Sequence, residues 1–136
     1  MKRTPLYQKH LDLKARMIEF HGWEMPLSYS GVIHEHHTVR NSCGIFDVSH
    51  MGQVFIHGPQ AKDYLQYLTM NNVAKLGEGE AQYSGMLNER GGFVDDIIIY
   101  NIDQAKFLVC INSANVDKDV AWMQKHTAQF RVHVEN

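Results

Sequence analysis

The sequence predicts an α+β protein in which a ferredoxin-like antiparallel sheet with two helices follows a smaller N-terminal segment. Two observations predict the sheet and its helices. From residue 53 onward, strand and helix patterns follow one another in the order β-α-β-β-β-α-β. Within this order, residues 83–100 have the pattern of two strands around a tight turn, in which Gly91 and Gly92 supply positive φ angles. We therefore divide the chain into an N-terminal segment of residues 1–52 and an α+β domain of residues 53–136.

The N-terminal segment contains two helix patterns and two strand patterns. Thr4 and Ser30 are hydroxyl residues suited to capping the two helices, and Pro5 fits a first helical position. In chain order we expect a short helix from Thr4, a strand over residues 17–20, a turn over residues 21–26, a helix from Ser30 to about Ser42, and a strand over residues 45–51. This is little material for an independent core.

The α+β domain opens with a strand that places Val54 and Ile56 on one face. Gly58 and Pro59 then open a helix with an apolar stripe. Beyond the hairpin, the remaining elements in order are a strand over residues 107–111, a helix capped by Asn115, and a strand over residues 130–134. This order favours an antiparallel sheet with both helices on one face.

Two adjacent carboxylates, Asp95 and Asp96, lie in the second hairpin strand, within the most apolar run of the chain. Strand interiors are depleted in Asp, and neighbouring side chains in a strand point to opposite faces. If one face is buried, one of the two acids needs a partner, a ligand or a shifted pKa. This local conflict indicates a functional site. We expect Asp96 to be the functional acid and Asp95 to have a structural role.

The composition limits the class of protein and its partners. The chain has 136 residues, of which 44% are hydrophobic and 21% charged, so general disorder is excluded. The formal net charge of -2 and the pI near 6.5 give no reason to expect nucleic acid or an anionic membrane as partner. No apolar run approaches the ~20 residues of a spanning helix. The N-terminus lacks a signal-peptide core, so we expect a cytoplasmic protein, or the mature form of an organelle protein such as one of the mitochondrial matrix.

Histidine and cysteine positions do not predict a metal site or a disulfide. His34 and His37 lie three residues apart in a predicted helix, but no carboxylate or Cys completes a site at a familiar spacing. Cys43 and Cys110 form no CxxC pattern, so we expect two reduced thiols. We therefore expect no bound metal.

Several motifs together resemble the N-terminal part of the glycine cleavage system T-protein, the aminomethyltransferase family that uses tetrahydrofolate. The most specific is the string from Asp47 to Gly52 followed by the hairpin pattern Gly-Gly-x-x-Asp-Asp. The other matching positions, in the family's order and spacing, are residues 3–7, residues 22–26, Ser30, Gly31, Glu35, His37, Val39, Arg40, Phe46, Tyr83, Asn88, Tyr100, Asn112, Lys118 and Asp119.

The resemblance implies a folate-binding fold whose several domains surround a channel, with residues 1–52 as an incomplete first folate-binding domain. It implies that Asp96 approaches the reactive nitrogens of the folate pterin as the catalytic residue. Carried over in the same way, the residues implied to line the folate site are Met51, Tyr83, Tyr100 and Asn112. The implied reaction moves the methylene of an aminomethyl-lipoyl group to tetrahydrofolate and releases ammonia.

The resemblance also implies partners. A lipoyl-bearing H-protein would deliver the aminomethyl group, and a separate C-terminal half or a second copy of the chain would complete the structure, because family members are much longer. A second interpretation stays open: a non-catalytic folate-binding or interaction module of the same fold, as in the family's relatives in iron–sulfur cluster assembly. Taken alone, Tyr83 and Tyr100 are also typical of half-buried sheet aromatics, and Met51 of a residue that fills gaps in a core.

Overall fold

Residues 1–136 are all described by a computed structural model, in which they separate into two units, Met1–His50 and Met51–Asn136. The predicted class is confirmed, because the chain is a mixture of helices and mainly antiparallel strands, and the second unit has a five-stranded antiparallel sheet with two α-helices. Every helix is too short or too polar to span a lipid bilayer.

The first unit contains a three-stranded sheet and two helices. Its elements are β1 (Lys2–Arg3), α1 (Tyr7–Asp12), β2 (Arg16–Phe20), β3 (Trp23–Ser28) and α2 (Val32–Asn41). The strand order is β1-β3-β2, with β2 antiparallel and β1 parallel to β3. The predicted turn over residues 21–26 is wrong beyond Gly22. His21 and Gly22, at φ 49° and 84°, complete the turn by themselves, and the backbone then continues as β3.

The two predicted helix caps of the first unit are also wrong. Thr4 does not cap α1, because its hydroxyl donates a hydrogen bond to Asp47 Oδ2 at 2.6 Å and the helix starts at Tyr7. Ser30 does not cap α2, which starts at Val32. The Glu35 carboxylate instead accepts hydrogen bonds from the backbone N–H groups that precede the helix, those of Tyr29, Ser30 and Gly31.

The predicted strand over residues 45–51 is absent. A strand needs a neighbour for its backbone groups, and no strand of the chain pairs with this stretch. The side chain of Asp47 also competes with an extended conformation, since its Oδ1 accepts a hydrogen bond from the Ser49 backbone N–H at 3.0 Å. Residues 43–48 are therefore irregular and lead into a turn near Ser49.

The second unit is built on one antiparallel sheet. Its elements are β4 (Gly52–His57), α3 (Ala61–Leu68), a 3-10 turn (Val73–Lys75), β5 (Ala81–Leu87), β6 (Phe93–Asp103), β7 (Lys106–Ile111), α4 (Val116–Lys125) and β8 (His133–Glu135). The strand order is β5-β6-β7-β4-β8, and all neighbours are antiparallel. The predicted order of elements is confirmed, with boundaries that differ by a few residues.

The core of the second unit lies between the helices and one face of the sheet. Strand side chains alternate between faces, so every second residue of β4, β6 and β7 is buried. The buried strand residues include Val54, Ile56, Ile97, Ile99, Phe107, Val109 and Ile111, and the helices contribute Tyr64, Leu65, Leu68 and Met123. We call this side of the sheet the core face and the opposite side the outer face.

Candidate functional site on the outer face of the sheet

The five residues that the resemblance implies all lie on the outer face of the sheet or at its end. Tyr83 and Tyr100 are 66% and 36% exposed, and the Asp96 side chain is also exposed. Met51 and Asn112 are half-buried, at the ends of β4 and β7. Gly52 pairs with Ile111, so Met51 and Asn112, which flank this pair, occupy neighbouring positions where the inner strands β4 and β7 end.

A β-bulge brings Tyr83 and Asp96 to the same face. The β5–β6 loop has three residues, because the Asn88 N–H donates to the Gly92 carbonyl at 2.9 Å and Leu87 pairs with Phe93. A three-residue loop alone would place Tyr83 and Asp96 on opposite faces. The pairing then shifts by one residue, so that Met86 pairs with Asp95, and this shift restores the shared face.

The two residues are not paired directly, as a plain two-residue loop would require. Tyr83 pairs with Ile98, and Gly85 pairs with Asp96, so Tyr83 and Asp96 are diagonal neighbours. Gly85, the residue opposite Asp96, has no side chain, and the Phe93 ring packs against its Cα position. The Tyr83 hydroxyl donates a hydrogen bond to Asp96 Oδ2 at 2.8 Å across this diagonal. The hydrogen bond raises the pKa of Tyr83 above its ordinary value, and the negative charge of Asp96 adds to the rise.

Asn112 holds the other side of Asp96. Its Nδ2 lies 3.1 Å from Asp96 Oδ1, 3.1 Å from the Asp96 carbonyl oxygen and 3.1 Å from Asp95 Oδ1. Three acceptors surround this atom, so it must be the amide nitrogen and not the amide oxygen. Asn112 therefore ties the two adjacent acids together although they point to opposite faces.

Tyr100 lies further along β6 on the same face. It is four positions after Asp96, which is about 13 Å along an extended strand. Ala81 pairs with Tyr100, so Tyr83 is also a diagonal neighbour of Tyr100. The structure thus joins Tyr83, Asp96 and Asn112 by hydrogen bonds and places Tyr100 at the far side of Tyr83. The outer face combines a fixed carboxylate with exposed aromatic rings, an arrangement that suits a flat heterocycle with N–H donors.

Asp95 is buried on the core face and has close polar partners. Burial alone would raise the pKa of Asp95, but the neighbouring polar groups of Asp119, Asn115 and Asn112 outweigh burial and lower it. The structure places Asp96 exposed on the outer face and Asp95 buried on the core face, and the roles expected for the two acids stay predictions. Asn115 precedes α4 as expected, but its side chain makes no capping hydrogen bond and lies near Asp95 instead.

Sequence reasoning missed Asp119, which is fully buried beside Asp95. Burial raises the pKa of Asp119 to about 7, and the neighbouring Asp95 adds to the rise. A signal was present in the spacing. Asp119 lies three residues after Val116 and four before Met123, on the apolar stripe of α4 that packs against the core. An acid on such a stripe must have a specific partner.

A second polar cluster, also missed, lies in the first unit. Asp47 Oδ2 accepts hydrogen bonds from the Thr4 hydroxyl at 2.6 Å and from His10 Nε2 at 2.7 Å. The other ring nitrogen of His10 lies 2.8 Å from the Tyr29 hydroxyl, which donates to it in the neutral ring. The Asp47 and His10 side chains are 1% and 6% exposed. Burial opposes ionisation of Asp47, but the hydrogen bonds from Thr4, His10 and Ser49 hold its pKa well below the ordinary value.

Metal ligation has no geometric support in the histidine cluster of α2. His34 hydrogen bonds with Ser30, and the rings of His36 and His37 contact each other edge to face. No group of three or more His, Cys, Asp or Glu side chains is arranged to hold a metal ion.

Comparisons with known proteins agree on one family. The sequence profile of the family described as the GCVT N-terminal domain matches residues 6–136. The chain is 46% identical over 136 residues to an aminomethyltransferase of Thermotoga sp. (strain RQ2) and 54% identical over 127 residues to an aminomethyltransferase of Bdellovibrio bacteriovorus. These alignments cover 100% and 93% of this chain, but 37% and 35% of the two relatives.

A solved structure is similar as well. The crystal structure of glycine cleavage system aminomethyltransferase T from Bartonella henselae matches with a TM-score of 0.89 and 37% sequence identity. The match covers 98% of this chain and 37% of that chain. The protein therefore spans little more than a third of the length of the relatives it matches, and it belongs to the GCVT N-terminal domain family of the aminomethyltransferases.

Proposed function

We propose that this chain is the N-terminal part of a tetrahydrofolate-dependent aminomethyltransferase of the glycine cleavage system, and that its outer face binds the folate. Family membership supports the reaction class. The single observation that supports the site is the position of Asp96, whose carboxylate is exposed and held from two sides by Tyr83 and Asn112. We assign the catalytic role to Asp96.

Asp96 fits the chemistry of a nitrogen acceptor. In the reaction, the methylene carbon of an aminomethyl-lipoyl thioether loses its bonds to sulfur and to the amine nitrogen and gains bonds to two nitrogens of tetrahydrofolate. The two N–H protons lost from folate balance the release of a thiol and of ammonia. Asp96 orients a folate N–H as an acceptor, takes up its proton and offsets the positive charge that develops beside it. A strand position holds the carboxylate more rigidly than a loop does.

The neighbours of Asp96 bind and orient the heterocycle. Tyr83 and Tyr100 provide exposed aromatic surface on the same face, separated by one diagonal step of the sheet. Asn112 donates to Asp96 through Nδ2, and its Oδ1 is an acceptor that can face a heterocycle edge. Met51, which lies beside Asn112 just before β4, adds an apolar contact whose flexible side chain can adapt to the heterocycle.

The complete activity requires parts that lie outside these residues. The chain spans 37% of the length of the Thermotoga relative. We propose that residues 1–52 belong to the first folate-binding domain, that a C-terminal half like that of the longer relatives completes the enzyme, and that a lipoyl-bearing H-protein supplies the aminomethyl group. The alternative is a folate-binding or interaction module of the same fold without catalysis, which would bind folate but have no turnover with any C-terminal half.

Titration calorimetry with tetrahydrofolate tests the proposed binding. The chain is titrated alone and in the presence of the C-terminal part of a related aminomethyltransferase. We expect binding that the Asp96→Asn substitution weakens by at least about tenfold, because a charge-assisted hydrogen bond is lost. Asp117→Asn is the matched control, since Asp117 is an exposed acid of α4 with no hydrogen-bond partner. Absence of binding in both conditions would contradict the proposal.

A further inference from the structure

Three buried carboxylate oxygens lie together beneath the proposed site without a hydrogen-bond donor. They are both oxygens of Asp119 and Oδ2 of Asp95. Asp119 is 0% exposed and Asp95 is 9% exposed. The two side chains, one from α4 and one from β6, are neighbours, and each affects the ionisation of the other. Two ionised carboxylates in this position would repel each other and lack donors for three oxygens, which is a costly arrangement in a protein interior.

The neighbouring lysine does not resolve this conflict. Lys118 Nζ donates to the backbone carbonyl of Val94 and lies 3.5 Å from Asp119 Oδ1, and its attraction lowers the pKa of Asp119 by less than burial and Asp95 raise it. The Lys118 side chain is 51% exposed, so its charge is largely solvated. Asp95 and Lys118 are the charged groups that act on Asp119. One proton shared between the two carboxyl groups would provide the missing donor and remove the second negative charge.

We propose that Asp119 is a positioning residue, which holds a proton in a hydrogen bond to Asp95 and thereby keeps the Asn112 amide on Asp96. The contacts form a continuous chain from Asp119 through Asp95 and Asn112 to Asp96. The proton assignment rests on the burial of the two acids and on their three oxygens without a donor, and only its consequence for catalysis rests on the proposed function.

The amide of Asn112 is the element that transmits the effect. Its Nδ2 has two hydrogens and serves three acceptors, one on Asp95 and two on Asp96. While Asp119 donates to Asp95, the negative charge on Asp95 is shared and Asn112 remains available to Asp96. When Asp119 loses its proton, two adjacent buried charges attract the amide hydrogens, and Asn112 turns toward Asp95 at the expense of Asp96. The pKa of Asp119, about 7, places this change near neutral pH.

Carboxyl and side-chain amide NMR of the 136-residue chain tests the proposal without any folate. We expect the Asp119 carboxyl carbon to titrate with a midpoint near pH 7 while Asp95 remains ionised. We also expect the Asn112 side-chain amide and the Asp96 carboxyl carbon to shift with the same midpoint. In Asp119→Asn the amide replaces the carboxylic acid as donor to Asp95, so the shifts at Asn112 and Asp96 near pH 7 should vanish.

Two results would overturn the proposal. The first is an Asp119 signal that titrates below about pH 5, as an ordinary carboxyl does. The second is an Asn112 amide that does not follow the titration of Asp119, which would leave Asp119 with a structural role only. Asp117→Asn, in the same helix, should leave every one of these shifts in place. Because no folate is present, a failure of the proposed function would not change these outcomes.

Discussion

The Tyr83 hydroxyl lies 2.8 Å from Asp96 Oδ2, although Tyr83 pairs with Ile98 and Asp96 pairs with Gly85. This diagonal contact depends on the bulge near Val94, which compensates for the three-residue loop. Gly85, opposite Asp96, has no side chain, and a Cβ at this position would collide with the Phe93 ring. The local irregularity of the hairpin is therefore what joins the aromatic ring and the carboxylate on one face.

The first prediction concerns the hydroxyl of Tyr83. In Tyr83→Phe the ring remains for stacking, but Asp96 loses one of its two side-chain donors. We expect stability to change by less than about 1 kcal/mol, because the pair is exposed to solvent. Tetrahydrofolate binding by the enzyme completed with a C-terminal part should weaken by about tenfold, because the carboxylate is less well oriented.

Calorimetry measures this binding. The control is Tyr67→Phe, because Tyr67 is an exposed tyrosine of α3. Equal binding by Tyr83→Phe and the unsubstituted chain would show that the hydroxyl does not orient Asp96.

The second prediction concerns the pH dependence of stability at Asp119. Its pKa is about 7 in the folded chain and about 4 in an unfolded chain, so the folded state binds the extra proton between these values. The stabilisation is complete below pH 4 and is lost as the pH rises to 7. Relative to the unsubstituted chain, Asp119→Asn should gain stability by up to roughly 1.4 kcal/mol per pH unit between pH 5 and pH 7. Urea unfolding at several pH values measures this, and a difference that does not vary with pH would contradict the raised pKa.

The third prediction concerns Asp47, whose pKa is lowered in the folded chain. Its contribution to stability is complete above about pH 4, where an unfolded Asp is ionised, and it is lost as the pH falls. Asp47→Asn should cost about 1–3 kcal/mol at pH 7, because the Thr4 and His10 donors lose a buried charged acceptor. Hydrogen exchange should show weaker protection of α1 and β3, and the difference should shrink below pH 4. Unchanged protection at pH 7 would mean that the cluster does not stabilise the first unit.

The fourth prediction concerns association. Ile45, Phe46 and Val48 are 99%, 70% and 58% exposed, and β2 is an edge strand of its sheet. Exposed apolar side chains and free strand edges favour pairing with another chain. We expect the isolated chain to self-associate, or residues 43–50 to exchange amide hydrogens rapidly until a partner binds. Light scattering and hydrogen exchange measure the two outcomes, and the paired substitutions Ile45→Ser and Phe46→Ser should reduce association. A monomer at high concentration with strong protection in this segment would be the opposite result.

The sequence predicted which elements exist better than it predicted how they pair. The β-branched and aromatic residues of β6 and the apolar alternation of β4 were sufficient for the sheet. The register of the hairpin was not predictable, because it depends on how Asn88 organises the loop. The Asn88 Oδ1 accepts hydrogen bonds from the backbone N–H groups of Arg90 and Gly92 at 2.9 and 3.0 Å. These bonds stabilise a loop of three residues, whereas the shortest common hairpin loop has two.

The prediction of a strand over residues 45–51 was wrong, because side-chain hydrogen bonds and not backbone pairing organise this stretch. Residues 45–51 have strand composition, but the hydrogen bonds of Asp47 hold this stretch in an irregular path. The strand context was sufficient to single out the pair Asp95 and Asp96, because two adjacent acids are unusual inside an apolar strand, and the catalytic role of Asp96 stays a prediction. Tyr83 and Asn112 were predicted as site residues from the family resemblance. The burial of Asp119 beside Asp95 could not be predicted, because it depends on which surface α4 packs against.

The catalytic role of Asp96 is tested most directly by measuring turnover of the Asp96→Asn variant in an enzyme that includes the C-terminal part. The chain is combined with the C-terminal part of a related aminomethyltransferase, and methylene transfer from an aminomethyl-lipoyl H-protein to tetrahydrofolate is measured. We predict that Asp96→Asn abolishes transfer and leaves the urea unfolding midpoint unchanged, since the side chain is exposed. Asp95→Asn should lower the midpoint, because Asp95 is buried and hydrogen-bonded. Asp117→Asn should affect neither quantity. Near-normal turnover by Asp96→Asn would contradict the catalytic assignment.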